Sequence, residues 1–314
     1  MPQFTVIIPL YNKENFVSAT IKSILDQTFT DYEVLIIDDC STDISLTKIQ
    51  PFLSDTIKLI SHAKNSGLSA SRNTGIRNAS AQYVTFLDAD DVWKPTVLET
   101  FYQMIQQFPE ESIFAVNYLE VYENGDIILP KNSTSDLKPN ETVVIRDFFK
   151  RNRQQGLFIH SGVCFDKKVY EDVGYYDTDI DFAEDLDFNI RAFSKYNLVY
   201  HTNRLVFYTI YSENQLTNSS ILGKKLPDYD QYEALTKDHS DLKSYLDFER
   251  YVLAKHLKID GDTTKYKEIA NKIDPKNLNV KQQLLLQSPV IALQWIKKIK
   301  GYLLKKGIRL SSYN

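Results

Sequence analysis

The chain has 314 residues, long enough to bury a sizeable core in one large domain or two ordinary ones. Its 37 Lys and Arg stand against 41 Asp and Glu, a formal net charge of −4, so no bulk basic character directs it to nucleic acid and any charged function is local. Two cysteines, Cys40 and Cys164, make neither a disulfide framework nor a zinc cluster, which leaves a reduced cytosol as the default compartment.

The first segment, MPQFTVIIPLYNK, lacks the basic start, the long apolar run and the small-residue cleavage site of a signal peptide. No stretch reaches the roughly 18 to 20 apolar residues of a spanning helix. Short apolar runs then alternate with helical patterns: FTVIIPL, FVSATIKSILDQ, YEVLIIDD, a polar helix-like segment, IKLISH, another helix, and YVTFLDAD. Runs continuous in Val, Ile and Leu predict a mostly parallel sheet with helices on both faces, a doubly wound half over residues 1 to about 125. Sheets of this kind bind ligands outside the carboxyl ends of their strands. The first strand ends in PLYN (Pro9, Tyr11, Asn12), the second in DDCSTD (Asp38, Asp39), and the fourth in DADD (Asp88, Asp90, Asp91). Right-handed crossovers bring those ends to one rim.

Each motif carries two readings. In DADD, Asp90 or Asp91 can cap a helix starting near Pro95, though one acid suffices for that. Three carboxylates at one strand end repel each other unless a cation sits among them, and Mg²⁺ or Mn²⁺ takes one or two carboxylates with phosphate oxygens and water. In DDCSTD, strand-end acids can accept hydrogen bonds from a ribose or a base, Asp43 caps the next helix, and Cys40 reads as a small packing residue. In KNSGLSASRNTGIRNA, Gly67 permits a tight turn, Ser69 or Ser71 can cap, and the helix can aim Arg72 at an anion.

From ENGDIILP onward the pattern changes to short strands and loops. A hairpin is expected at Asn124-Gly125, then a polar linker, then the runs GLFIHSGVCF and LVYHTNRLVFYTIYS, an acceptor-side half over 126–225. Between those runs, FAEDLDFNIRAF places Phe182, Leu186, Ile190 and Phe193 at helical spacing, with Glu184 and Asp185 at the helix start. Those acids either offset the helix dipole or supply a general base in a cleft. Residues 226–314 read as a small helical appendage. Within 289–310, Ile291, Trp295, Ile296, Ile299, Tyr302 and Leu303 share one face, and Lys297, Lys298, Lys300 and Lys305 fall mainly on the other. Such a helix lies on anionic lipid or docks on the protein, and Gly301 and Gly307 weaken either version.

Together, VIIPLYNKENFVSATIKSILDQT, EVLIIDDCSTD, NSGLSASRNTGI, FLDADDVWKP and AEDLDF resemble the family 2 glycosyltransferases, inverting enzymes of the GT-A fold, over roughly residues 3 to 215. The resemblance implies that Pro9, Tyr11 and Asp39 line the uridine pocket, with Arg72 close to the nucleotide. It implies that Asp88 and Asp90 handle the donor, with Asp90 as the direct Mn²⁺ or Mg²⁺ ligand. Asp91, His160 and Glu184 are assigned to the substrates and Asp185 to the catalytic base. The expected donor is a nucleotide diphosphate sugar, UDP-linked, and the expected acceptor a glycan or lipid-linked glycan, with no nucleic acid partner. The enzyme would be cytoplasmic, peripheral at the inner face of the membrane, and at work in surface polysaccharide assembly.

One departure is visible. Many relatives carry Y-R-x-H after the E-D helix, where this chain has YTIYSENQLT, offering Thr209 and Tyr211; nearby His201 reads as serving the fold. Two other functions fit parts of the sequence. A haloacid-dehalogenase-like phosphohydrolase would use Asp88 as nucleophile and Asp90 as acid/base. A catalytically degenerate sugar- or nucleotide-binding module would need neither Asp90 nor Asp185.

Overall fold

The computed structural model describes residues 1–122, 125–210, 212–213, 215 and 220–304. The first half alternates as its periodicity predicts: β1 (Phe4–Leu10), α1 (Val17–Leu25), β2 (Tyr32–Asp38), α2 (Ser45–Ile49), β3 (Ile57–Ser61), α3 (Leu68–Asn78) and β4 (Tyr83–Phe86). These four strands pair in parallel in the order β3-β2-β1-β4. Side chains alternate along them between two buried layers. Ile7, Leu35 and Ile37 enter one apolar cluster, and Val6, Ile8, Val34 and Ile36 enter the other, so both faces are covered.

After β4 come β5 (Val92–Trp93), α4 (Val97–Gln107), β6 (Ile113–Val121), β7 (Ile127–Ile128), β8 (Thr142–Ile145), α5 (Phe148–Arg151), β9 (Val163–Asp166), α6 (Lys168–Val173), α7 (Glu184–Phe193) and β10 (Leu198–Thr209). The sheet continues through β9, β6, β10 and β5, and here pairing is mixed. β9 lies antiparallel between β4 and β6, β10 runs parallel to β6, and β5 closes antiparallel on β10. The expected hairpin is the β6–β7 pair; Gly125 has φ +83°, and Asn124 lies outside the described residues. Two register shifts interrupt β10 between His201 and Val206, and its far end, at Thr209, hydrogen-bonds the DADD segment.

Four helices follow: α8 (Leu242–Asp260), α9 (Thr263–Ala270), α10 (Val280–Gln287) and α11 (Val290–Leu304). Leu242, Tyr245, Leu246 and Leu253 of α8 belong to the same apolar cluster as Phe188 and Ile190 of α7. The C-terminal region is therefore tied through α8 into the layer that carries α7. On α7, Phe188 is fully buried, whereas Phe182 precedes the helix and Leu186 is only partly covered.

Candidate functional site

The strand ends meet as topology predicts, each held by short-range bonds. Asp39, just past β2, is 4% exposed and accepts from the backbone N–H groups of Ser66 and Gly67, both at 2.8 Å, and pairs with His62 Nδ1 at 2.7 Å. It thereby ties β2 to the loop that starts α3. Gly67 has φ +89° and is itself the N-cap of α3, so neither Ser69 nor Ser71 caps; the Ser71 hydroxyl bonds back to the Gly67 carbonyl. Asp43 accepts from the N–H groups of Ser45 and Glu14, joining the loop after β1 to α2. Pro9 is buried in β1, and Tyr11 is 40% exposed. Cys40 is exposed with φ 65°, which corrects the expectation of a packing residue.

The acids of DADD separate in role. Helix α4 begins at Val97 with Thr96 before it, and β5 intervenes, so neither Asp90 nor Asp91 caps it. Asp91 has no exposed surface; its carboxylate accepts from the Ser161 hydroxyl and, at 3.0 Å, from the Thr209 N–H. Burial, then the neighbouring Asp90 and Asp88, push its carboxyl well above the usual range. Asp91 therefore braces the DADD turn against β10. Asp90 accepts from Lys13 Nζ at 2.7 Å and from the Ser212 hydroxyl; Lys13 also bonds the Glu213 carbonyl at 2.7 Å. An ammonium thus lies against the acid expected to hold a cation. Thr209 donates its hydroxyl to the Asp90 carbonyl, so it supports the turn, while Tyr211 lies outside the described residues.

Arg72 joins this rim to α7. It is 3% exposed, donates from Nη1 to Glu184 Oε1 at 2.7 Å, and reaches Asp88 Oδ1 from Nη2 at 3.5 Å. Its guanidinium lies over the Tyr176 ring at 5.5 Å. Burial works against its charge, but Asp88 and Glu184 outweigh that and hold it protonated. Asp88 keeps 30% of its side chain exposed, so it is the most open carboxylate of the DADD turn.

On α7, Ala183 takes the left-handed conformation at φ 64°, and Glu184 and Asp185 open the helix. Glu184 turns inward to Arg72, while Asp185 is half-buried and accepts from the Leu186 N–H at 3.0 Å. Burial, then repulsion from Glu184, push the Asp185 carboxyl up to about 6. His160 is 7% exposed and its Nε2 meets the Tyr176 hydroxyl at 2.6 Å; burial and then Arg72 hold the imidazole neutral. Both Asp185 and His160 line one cavity. His201 instead bonds Thr142 on the neighbouring strand, as its position predicts. Lys13, His62 and Ser161 were not read from the sequence as site residues, although Lys13 directly follows PLYN.

The model of glycosyl transferase family 2 matches residues 5–174, more than half of the chain. The chain belongs to glycosyl transferase family 2. That membership overturns the dehalogenase-like alternative. Among relatives, WfgD of Escherichia coli, named a UDP-Glc:alpha-D-GlcNAc-diphosphoundecaprenol beta-1,3-glucosyltransferase, is 34% identical over 40% of this chain and 48% of its own length. The match thus spans about half of that relative. WcaA of E. coli K12, a putative colanic acid biosynthesis glycosyl transferase, is 28% identical over 77% of this chain and 84% of its own. Staphylococcus aureus TarS in complex with UDP-GlcNAc superposes with a TM-score of 0.63 at 16% identity, over 94% of this chain and 90% of that one, which establishes the GT-A fold for this family 2 member.

Among the described residues, no three His, Cys, Asp or Glu side chains are arranged to hold a metal ion. Asp88, 30% exposed in its side chain, and Asp90, buried against Lys13, are the DADD carboxylates not enclosed by β10, and two carboxylates are what Mg²⁺ or Mn²⁺ takes when diphosphate and water complete its shell.

Proposed function

We propose that this chain transfers a sugar from a UDP-linked donor to a hydroxyl of a glycan acceptor, with inversion, in bacterial surface polysaccharide assembly. The observation that carries this reading is the Arg72 bridge, which holds the DADD rim and the Glu184–Asp185 pair together. Asp39 and Tyr11 border the nucleotide, and Asp88 and Asp90 face its diphosphate. A Mn²⁺ or Mg²⁺ ion held there would neutralise the departing charge. Asp185 takes the proton of the acceptor hydroxyl as that oxygen bonds to the anomeric carbon and the bond to the diphosphate breaks. No nucleophile on the protein is required, and residues 1–225 carry all of these parts. Calorimetric titration with UDP, GDP and dTDP, with and without Mn²⁺, tests the donor side. Metal-dependent binding of UDP that is lost in Asp90→Ala is expected; no metal-dependent binding of any nucleotide would sink the assignment of the acidic rim.

The same reading puts the acceptor at a membrane face. No helix among the described residues is long and apolar enough to cross a membrane. α11 buries Leu293, at 2% exposure, beside α8, yet leaves Ile291, Trp295, Ile299 and Tyr302 exposed along one stripe. Lys297 and Lys298 are exposed on α11, and the sequence has no acid between Val280 and Leu304 to offset them. The helix thus both docks and keeps an interfacial face, supporting attachment to anionic lipid. Lys305 and Gly307 lie outside the described residues. Cosedimentation with phosphatidylglycerol vesicles, absent with phosphatidylcholine, is the expected outcome; equal recovery with both would rule out the lysine contribution.

A further inference from the structure

A cavity of about 260 Å³ lies where α7, α8 and the chain around His160 meet. Asp185 forms part of its wall. So do Asn189, one turn further along α7, and Glu249, which comes from α8 in the C-terminal region. Asn189 is 7% exposed and its Oδ1 has no hydrogen-bond partner. Buried acceptors are rarely left so, because an unpaired polar atom away from water is costly. Glu249 is 6% exposed; burial and the nearby Asp185 push its carboxyl up to about 8, partly opposed by a hydrogen bond from Tyr245. At neutral pH it is therefore mostly an O–H donor.

The other lining groups narrow the ligand. No Lys or Arg is among them, and His160 is held neutral, so nothing there offsets an added negative charge. Phe158 and Tyr245 supply aromatic surface beside the polar atoms. The volume is below the roughly 300–1,000 Å³ that encloses drug-sized ligands, which suits one ring rather than an extended chain. Donor, acceptor and aromatic wall together fit the hydroxyls and C–H face of a sugar, and two carboxyl groups disfavour an anionic one.

We propose that this cavity is the acceptor-sugar subsite, taking one uncharged pyranose, with Asn189 and Glu249 as its recognition pair beside the Asp185 carboxylate. The inference rests on the transferase reading and extends it to the acceptor's chemical class and to a specificity residue from α8.

The test measures binding of p-nitrophenyl glucoside, galactoside, N-acetylglucosaminide and glucuronide to the full chain by saturation-transfer NMR, with UDP titrated calorimetrically in parallel. At least one neutral glycoside binds and the glucuronide does not. Asn189→Ala and Glu249→Ala each weaken the neutral glycoside by about tenfold, the effect of losing one buried hydrogen bond, while Glu249→Gln stays within about threefold. All variants bind UDP as the parent does. Unchanged glycoside binding in both alanine variants, equal binding of the glucuronide, or no neutral glycoside binding at all would overturn the subsite. Should an alanine variant fail to fold, Asn189→Asp decides, since it keeps the shape, adds a carboxyl group and loses the neutral glycoside. Absence of UDP binding in the parent would instead overturn the donor reading, and the glycoside arm still decides the cavity.

Discussion

The strand-end rim and the cavity between α7 and α8 are both acidic, and they are built in opposite ways. At the rim, Asp39 is matched by two backbone N–H groups and His62, and Asp90 by Lys13 and Ser212; Asp91, bonded to Ser161 and Thr209 but pushed well above the usual range by burial, is the exception. In the cavity, Asp185 and Glu249 are pushed up to about 6 and about 8, and the Asn189 carbonyl is unpaired. The matched region is preorganised, with its geometry set before any ligand arrives. The unmatched region holds groups able to accept a proton and polar atoms that a hydroxylated ligand would satisfy. Arg72 is where the two meet.

Removing that junction gives the largest expected effect on stability. Arg72→Ala leaves Glu184 buried without its counter-charge, and denaturant unfolding is expected to show a loss of about 3–5 kcal/mol. A loss under 1 kcal/mol would mean that rim and cavity are not coupled through this residue.

Glu249→Gln sharpens the comparison through pH. The folded carboxyl, at about 8, lies above the ordinary 4.5, so the group's contribution is most favourable at low pH and is lost as pH rises toward 8. The glutamine variant lacks that loss and should gain on the order of 3 kcal/mol relative to the parent between pH 5 and pH 8. Parallel stability profiles for the two proteins would show that Glu249 ionises normally.

Gly67→Ala probes the matched side. The residue sits at φ +89° and offers its N–H to Asp39, so a side chain costs about 1–2 kcal/mol in backbone strain even though nothing crowds the added carbon. Thermal unfolding reads this directly. The smallest change is expected at Trp295→Ser, where the side chain is 61% exposed. Stability should move by less than about 0.5 kcal/mol while vesicle binding falls, and a large destabilisation would mean that Trp295 is packed rather than exposed.

The contrast also explains what the sequence made legible. The rim arises from contiguous segments, strand end followed by turn, so PLYN, DDCSTD and DADD announce it through apolar runs that stop at polar residues. The parallel pairing of β1 to β4 follows from the same runs, whereas their order β3-β2-β1-β4 is not read from them. Nor is the antiparallel insertion of β9, because GLFIHSGVCF reads as a strand without naming its neighbours. At DADD the sequence shows three acids and not the Ser161 and Thr209 groups bonded to Asp91. Glu249 gave no signal at all: it sits in an ordinary charged stretch, LDFERYVLAKHL, and only the packing of α8 against α7 brings it near Asp185.

The central claim, that Asp185 is the base in a transfer from a UDP-sugar, is tested most directly by comparing the parent with Asp185→Asn for release of UDP from UDP-glucose and UDP-N-acetylglucosamine, beside calorimetric UDP binding. The parent's turnover should rise with pH through about 6 as the Asp185 carboxyl ionises. The variant should lose roughly 10²–10⁴-fold in turnover and keep UDP affinity within about twofold. Undiminished turnover, or equal loss of turnover and UDP binding, would contradict the account.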